Sequence, residues 1–120
     1  MFGRFKKTQL SELVKLSGVY IGPGIVAEGE IKTEDDVFID SHFKGQIESD
    51  GVVEIGKNSN FSGSIKGRSV LIEGITRSEV NASELISFAS CAEFRGSATS
   101  REVIVPKGAL IDAKITTEKN

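Results

Sequence analysis

Val37-Phe38-Ile39 followed by Phe43-Lys44-Gly45-Gln46-Ile47, and then Val53-Glu54-Ile55 followed by Phe61-Ser62-Gly63-Ser64-Ile65, are two copies of one unit. Each pairs an apolar-x-apolar triplet with a large-x-small-x-apolar segment. On either side of these copies, triplets recur at Val19-Tyr20-Ile21, Val70-Leu71-Ile72, Ile86-Ser87-Phe88 and Val103-Ile104-Val105. From Val19 to Val103 the five intervals are 18, 16, 17, 16 and 17 residues, a mean of 16.8. The second segment recurs at Ala27-Glu28-Gly29-Glu30-Ile31, weakly at Ser78-Glu79-Val80-Asn81-Ala82, and again at Phe94-Arg95-Gly96-Ser97-Ala98 and Ile111-Asp112-Ala113-Lys114-Ile115.

A fixed period of this size is the mark of a repeat architecture. Apolar residues alternate with period two inside each segment, which specifies strand rather than helix. The unit is too short for a strand-helix-strand crossover and carries no helical stripe. Successive units therefore coil as strand-turn-strand-turn, each rung on the one before, with equivalent strands paired in parallel. The fold class is all-β, a single-domain parallel β-helix of about six rungs over residues 19–115. One rung cannot bury its own apolar side chains, whereas stacked rungs line them up inside a narrow tube. Phe43 and Phe61 should then be neighbours in one column. Gly29, Gly45, Gly63 and Gly96 mark a place where a side chain would collide or the backbone must bend. The fourth rung departs from the pattern, with a bulge expected between about Ile75 and Leu85.

The rest of the composition narrows the function. The chain has 120 residues, a net charge of −2 and no strongly basic surface signature of the kind nucleic-acid binding needs. The single cysteine, Cys91, excludes an internal disulfide and any CxxC metal or redox pair, and suits a reducing, cytoplasmic setting. No apolar run reaches bilayer-spanning length, and the N-terminus lacks a secretory signal. His42 is the only histidine and stands in the turn Asp40-Ser41-His42. Glu34-Asp35-Asp36 reads as a solvated turn, and Gly22-Pro23-Gly24 as a turn rather than a phosphate loop. Cys91, in Ser90-Cys91-Ala92, reads as a structural or exposed thiol. No catalytic, metal or cofactor residue is assigned, and the chain is not expected to be an enzyme.

The two ends of such a coil carry unpaired backbone groups and a cross-section of the apolar core, which invite pairing with another chain. Thr116-Thr117-Glu118-Lys119-Asn120 is expected to be too short and too polar to cover the last rung. Self-association is expected through Val19 and Ile21 at one end and Val103, Ile104, Val105, Leu110 and Ile111 at the other. A contact that repeats without closing builds a filament. Residues 1–18 stand outside the repeat. Met1, Phe2 and Phe5 beside Arg4, Lys6 and Lys7 combine apolar insertion with attraction to anionic lipid, and Leu10, Leu13, Val14 and Leu16 follow at roughly helical spacing. A disordered tail, or a strap packed over the first rung, is the competing reading of this segment.

The Met-Phe-Gly-Arg-Phe-Lys-Lys start, the six Val-x-Ile-like triplets, the recurring Phe-x-Gly-x-Ile and the polar C-terminal tail together resemble the bactofilin family. The resemblance implies a right-handed β-helix with a triangular core that polymerises end to end without nucleotide, giving filaments of no overall polarity. It also implies association with the inner face of the cytoplasmic membrane and scaffolding of cell-wall enzymes in shape control. Met1 and Phe2 match the family's membrane segment, and Val103, Ile104, Val105 and Ile111 its terminal assembly rung. The irregular fourth rung and the short tail depart from that pattern. Two alternatives are a hexapeptide-repeat acyltransferase, which Ile21-Gly22 and Ile55-Gly56-Lys57-Asn58 resemble superficially, and a non-polymerising β-helix binding module. A 16.8-residue turn with slips breaks the sixfold count that the acyltransferase coil requires.

Overall fold

A computed structural model describes residues 19–117. The described chain contains strands, turns and bends and no helix. Its ten strands are β1 (Val19–Ile21), β2 (Val26–Thr33), β3 (Val37–Ile39), β4 (His42–Ser49), β5 (Val52–Ile55), β6 (Asn60–Ile72), β7 (Ile75–Phe88), β8 (Glu93–Ser100), β9 (Glu102–Ile104) and β10 (Leu110–Thr117). All pairings are parallel.

Two ladders account for every rung. The short ladder stacks the triplets: β1 on β3, β3 on β5, β5 on the end of β6, the end of β6 on that of β7, and β7 on β9. The long ladder stacks the second segments: β2, β4, the start of β6, the start of β7, β8 and β10. This is the parallel β-solenoid of about six turns that the repeat specifies.

Strand register turns the sequence repeat into columns. Val19, Val37, Val53, Val70, Ile86 and Val103 form one inward column, and Ile31, Ile47, Ile65, Val80, Ala98 and Ile115 another. Phe43 lies on Phe61, rings 5.5 Å apart and 2° from parallel. Burying such side chains contributes roughly 1.5–3 kcal/mol each. Tight turns recur between the ladders: the Ser59, Ala92 and Ala109 amides donate to the carbonyls of Gly56, Ala89 and Pro106.

The glycine column has a steric cause. Gly29, Gly45, Gly63 and Gly96 adopt φ of +148°, +146°, +138° and +131°, a region that side chains avoid. A Cβ at Gly45 or Gly63 would overlap the carbonyl oxygen of the glycine one rung earlier.

The fourth rung corrects the sequence reading. Phe61, Gly63 and Ile65 pair with Thr76, Ser78 and Val80, so that rung's copy is Thr76–Val80 and not Ser78–Ala82. The expected irregularity is present. Gly67 pairs with Ala82 but Ser69 with Leu85, so the turn holds one residue more than its neighbour. β10 also continues to Thr117, two residues past Ile115.

Candidate assembly surfaces

The two terminal rungs are built alike and buried differently. In the first rung the inward residues Val19, Ile21, Ile25, Ala27 and Ile31 are all buried, with Ile21 and Ile31 at 0% exposure. In the last rung the inward residues Val103, Ala109, Ile111 and Ala113 are only partly buried, and Ile115 is 37% exposed. Outside them Ile104 and Val105 are each 47% exposed and Leu110 is 65% exposed. β10 pairs with β8 on one side and with no described strand on the other, which leaves eight residues of edge.

The residues expected to mediate self-association thus fall into two groups. Ile104, Val105 and Leu110 are exposed, Val103 and Ile111 are half-buried, and all five share one end of the tube. Val19 and Ile21 are buried and offer no free surface in this conformation. Met1, Phe2, Arg4, Phe5, Lys6 and Lys7 lie outside the described residues.

Parallel edges built of apolar residues and open backbone groups are templates for a further strand. On the outward side of β10, Asp112 and Lys114 flank Ala113, and both are exposed. The edge therefore carries opposite charges placed symmetrically about one small residue, a feature the sequence reading did not use. Ile104 lies nine residues before Ala113, about half of the 16.8-residue turn. The two edge strands thus lie about half a turn apart along the chain.

The remaining chemically suggestive residues have structural settings. His42 is exposed at the start of β4. Glu34, Asp35 and Asp36 are exposed in the connection from β2 to β3, and the Val52 amide donates to Asp36 Oδ1 at 2.9 Å. Asp40 accepts from the Asn58 amide and from Asn58 Nδ2, at 2.9 and 3.0 Å, stitching one turn to the next. Cys91 sits in an exposed turn, and its thiol donates to the Glu73 carbonyl at 3.3 Å. Among the described residues no group of His, Cys, Asp and Glu is arranged to hold a metal ion, and no helix is long and apolar enough to cross a membrane.

Comparison with protein families gives a match over this same region. The bactofilin family model, described as polymer-forming cytoskeletal, matches residues 19–116. Neither the curated proteins nor the solved structures gave a match.

Proposed function

The chain belongs to the bactofilin family, a polymer-forming cytoskeletal family, and from that premise we propose that it builds nucleotide-independent filaments whose subunits join end to end, last rung to last rung and first rung to first rung. The observation that carries this reading is the exposed edge formed by Ile104, Val105, Leu110 and β10. Joining two such edges pairs their backbone groups and removes apolar surface from water, at roughly 25 cal/mol per Å².

The charge pattern favours a two-fold junction over head-to-tail stacking. A two-fold axis through Ala113 makes β10 antiparallel to its twin. Asp112 then faces the partner's Lys114, and Lys114 faces the partner's Asp112. The half-turn spacing puts the same axis near Ile104, so both ladders meet their own copies at once. Continuing the tube head to tail would put β10 over β2 in the register that every other rung uses. Asp112 would then stand beside Glu28, a like-charge pair, and Lys114 beside Glu30, an opposite-charge pair, so the two contacts offset each other where the two-fold junction has two attractive ones. The first rung, being buried, would close each pair at its far end until its own apolar residues are freed for a second junction.

The membrane half of the proposal rests on Met1, Phe2, Arg4, Phe5, Lys6 and Lys7, whose residue types suit the interface of an anionic bilayer. One copy would bind weakly, and a filament would multiply the contact. A filament held at the inner face of the cytoplasmic membrane would then organise cell-shape or cell-wall factors.

Electron microscopy of the nucleotide-free protein tests the assembly. Wild type should form filaments, and Leu110→Arg should leave single particles with an unchanged β-rich circular dichroism spectrum. Asp112→Lys separates the two junctions by sign. It weakens two-fold assembly, where like charges then meet, and the charge swap with Lys114→Asp restores it. Stronger assembly by Asp112→Lys alone would refute the two-fold junction, since head-to-tail stacking would gain a contact to Glu28. Removing residues 1–7 should abolish co-sedimentation with anionic phospholipid vesicles while filaments persist.

A further inference from the structure

The outward surface of the triplet ladder differs from every other surface of the tube. Along it stand Tyr20, Phe38, Val52, Leu71, Leu85 and Ile104, set outward by alternation with the buried triplet residues and brought side by side by the strand register. Tyr20 and Phe38 stack with ring centroids 5.2 Å apart and 3° between planes. The charged groups along this ladder are acidic: Asp36, Asp40, Glu54, Glu73 and Glu102. The carboxylates of Glu54, Glu73 and Glu102 make no hydrogen bond or ion pair with any described residue. Among the described residues, the nearest cations in the chain are Lys57, Arg68 and Arg101, which stand at its borders beside Gly56, Ser69 and Glu102. The cations of the long ladder (Lys32, Lys44, Lys66, Arg77, Arg95, Lys114) point outward from the other walls.

We propose that this apolar, acidic surface is a docking site for the chain's own first seven residues. Met1-Phe2-Gly3-Arg4-Phe5-Lys6-Lys7 has the complementary chemistry: apolar side chains between cations, and no acid. Reach is sufficient. Eleven residues, 8–18, join the segment to Val19, which itself opens the triplet ladder. That tether spans at most about 37 Å, and the longest dimension of the molecule is 38 Å. Phe2 and Phe5 pack beside the Tyr20 and Phe38 rings, and Arg4, Lys6 and Lys7 pair with Glu54 and Glu73. A tethered ligand of this kind needs little intrinsic affinity, because the linker holds it at high local concentration.

The same side chains carry the membrane contact proposed above, and the second half of the inference rests on that reading. Docked on the tube, the segment is withheld from lipid. An anionic bilayer competes for it with the same apolar and negative chemistry, so membrane binding and release of the triplet surface are one event. A filament at the membrane would present a free apolar, acidic face, and a filament in solution a covered one.

Carbodiimide cross-linking of the full-length protein tests the docking, since it condenses a lysine Nζ with an adjacent carboxylate. Links from Lys6 and Lys7 should fall severalfold more often on Glu54, Glu73 and Glu102 than on Glu48, Glu79 and Glu93 of the other walls, and should fade as salt screens the pairing. An even distribution over all walls would overturn the docking. The competition is read from vesicle binding. Glu54→Lys should raise it by about three- to tenfold, the effect of losing one or two exposed ion pairs. Glu48→Lys, an equal change of charge on another wall, should raise it much less. Equal rises overturn the competition. If neither the wild type nor Glu54→Lys binds vesicles, the membrane reading fails, and the cross-links still decide the docking.

Discussion

The second and third rungs and the fourth are successive turns of one ladder, solved in different ways. In β4 and the start of β6, Phe43 and Phe61 fill the tube face to face and Gly45 and Gly63 take strained positive-φ backbone. At the start of β7 the same two columns hold Thr76 and Ser78, both buried, with neither hydroxyl finding a partner among the described residues. Among the described residues none but glycine has positive φ, so the backbone at Ser78 has left the glycine geometry. The aromatic bulk missing at Thr76 reappears in the other ladder. Phe88 stands in the column of Ile21, Ile39, Ile55 and Ile72, and packs on Phe94 at 5.1 Å with a 49° tilt. The contrast teaches that the backbone pairing of a solenoid fixes which positions face inward, while volume is shared over neighbouring rungs.

The comparison breaks most easily at the glycines. Gly63→Ala puts a Cβ into the Gly45 carbonyl oxygen on backbone that disfavours any side chain, and nothing flexible is there to yield. A loss of about 4 kcal/mol or more is expected. The readout is the urea midpoint, measured with Leu110→Arg also present so that assembly does not add to stability. Phe61→Ala comes next. It removes a fully buried ring from the Phe43 stack and should cost about 3–4 kcal/mol on the same scale. If both losses were below about 1 kcal/mol, the regular rungs would be no more constrained than the fourth.

The same contrast explains what the sequence disclosed. The triplets and the glycine-bearing segments were legible because Val, Ile, Phe and Gly recur at one spacing, and parallel stacking converts spacing directly into columns. Phe43 over Phe61 followed from that. The fourth rung was misread by two residues because Thr76 and Ser78 resemble neither Phe nor Gly. A slip of two keeps the inward alternation intact, so no apolar residue looked misplaced. The real segment starts six residues after Val70, as Phe43 does after Val37, and that shorter gap was the available signal. At the ends, both terminal rungs read as equally apolar, and their unequal burial is a tertiary fact. The acidic, apolar wall was hidden for another reason: its residues lie about seventeen apart and become neighbours only once register is known.

Thr76→Val sharpens the comparison in the opposite direction. The substitution nearly preserves shape and removes a buried hydroxyl that has no partner. Stability should rise by about 1–2 kcal/mol, seen as a higher urea midpoint at unchanged slope. An unchanged midpoint would mean that the hydroxyl is satisfied by solvent and that the fourth rung is less dry than its neighbours.

The smallest effect is the most diagnostic. Ser78→Gly restores the residue that the column carries in the rungs on either side, at Gly63 and Gly96. By the logic of the repeat it should stabilise. By the logic of the backbone it should not, because position 78 does not use positive φ, and glycine there only adds freedom to the unfolded chain. Removing the unpartnered hydroxyl offsets part of that cost. Ser78→Ala removes the same hydroxyl without the added freedom, so it should exceed Ser78→Gly by about 0.5–1 kcal/mol. The difference between the two variants therefore reads the backbone alone. A glycine variant more stable than the alanine one would show that the fourth rung is the regular geometry held under strain, and that Ser78, not the register shift at Ala82–Leu85, is what makes it irregular.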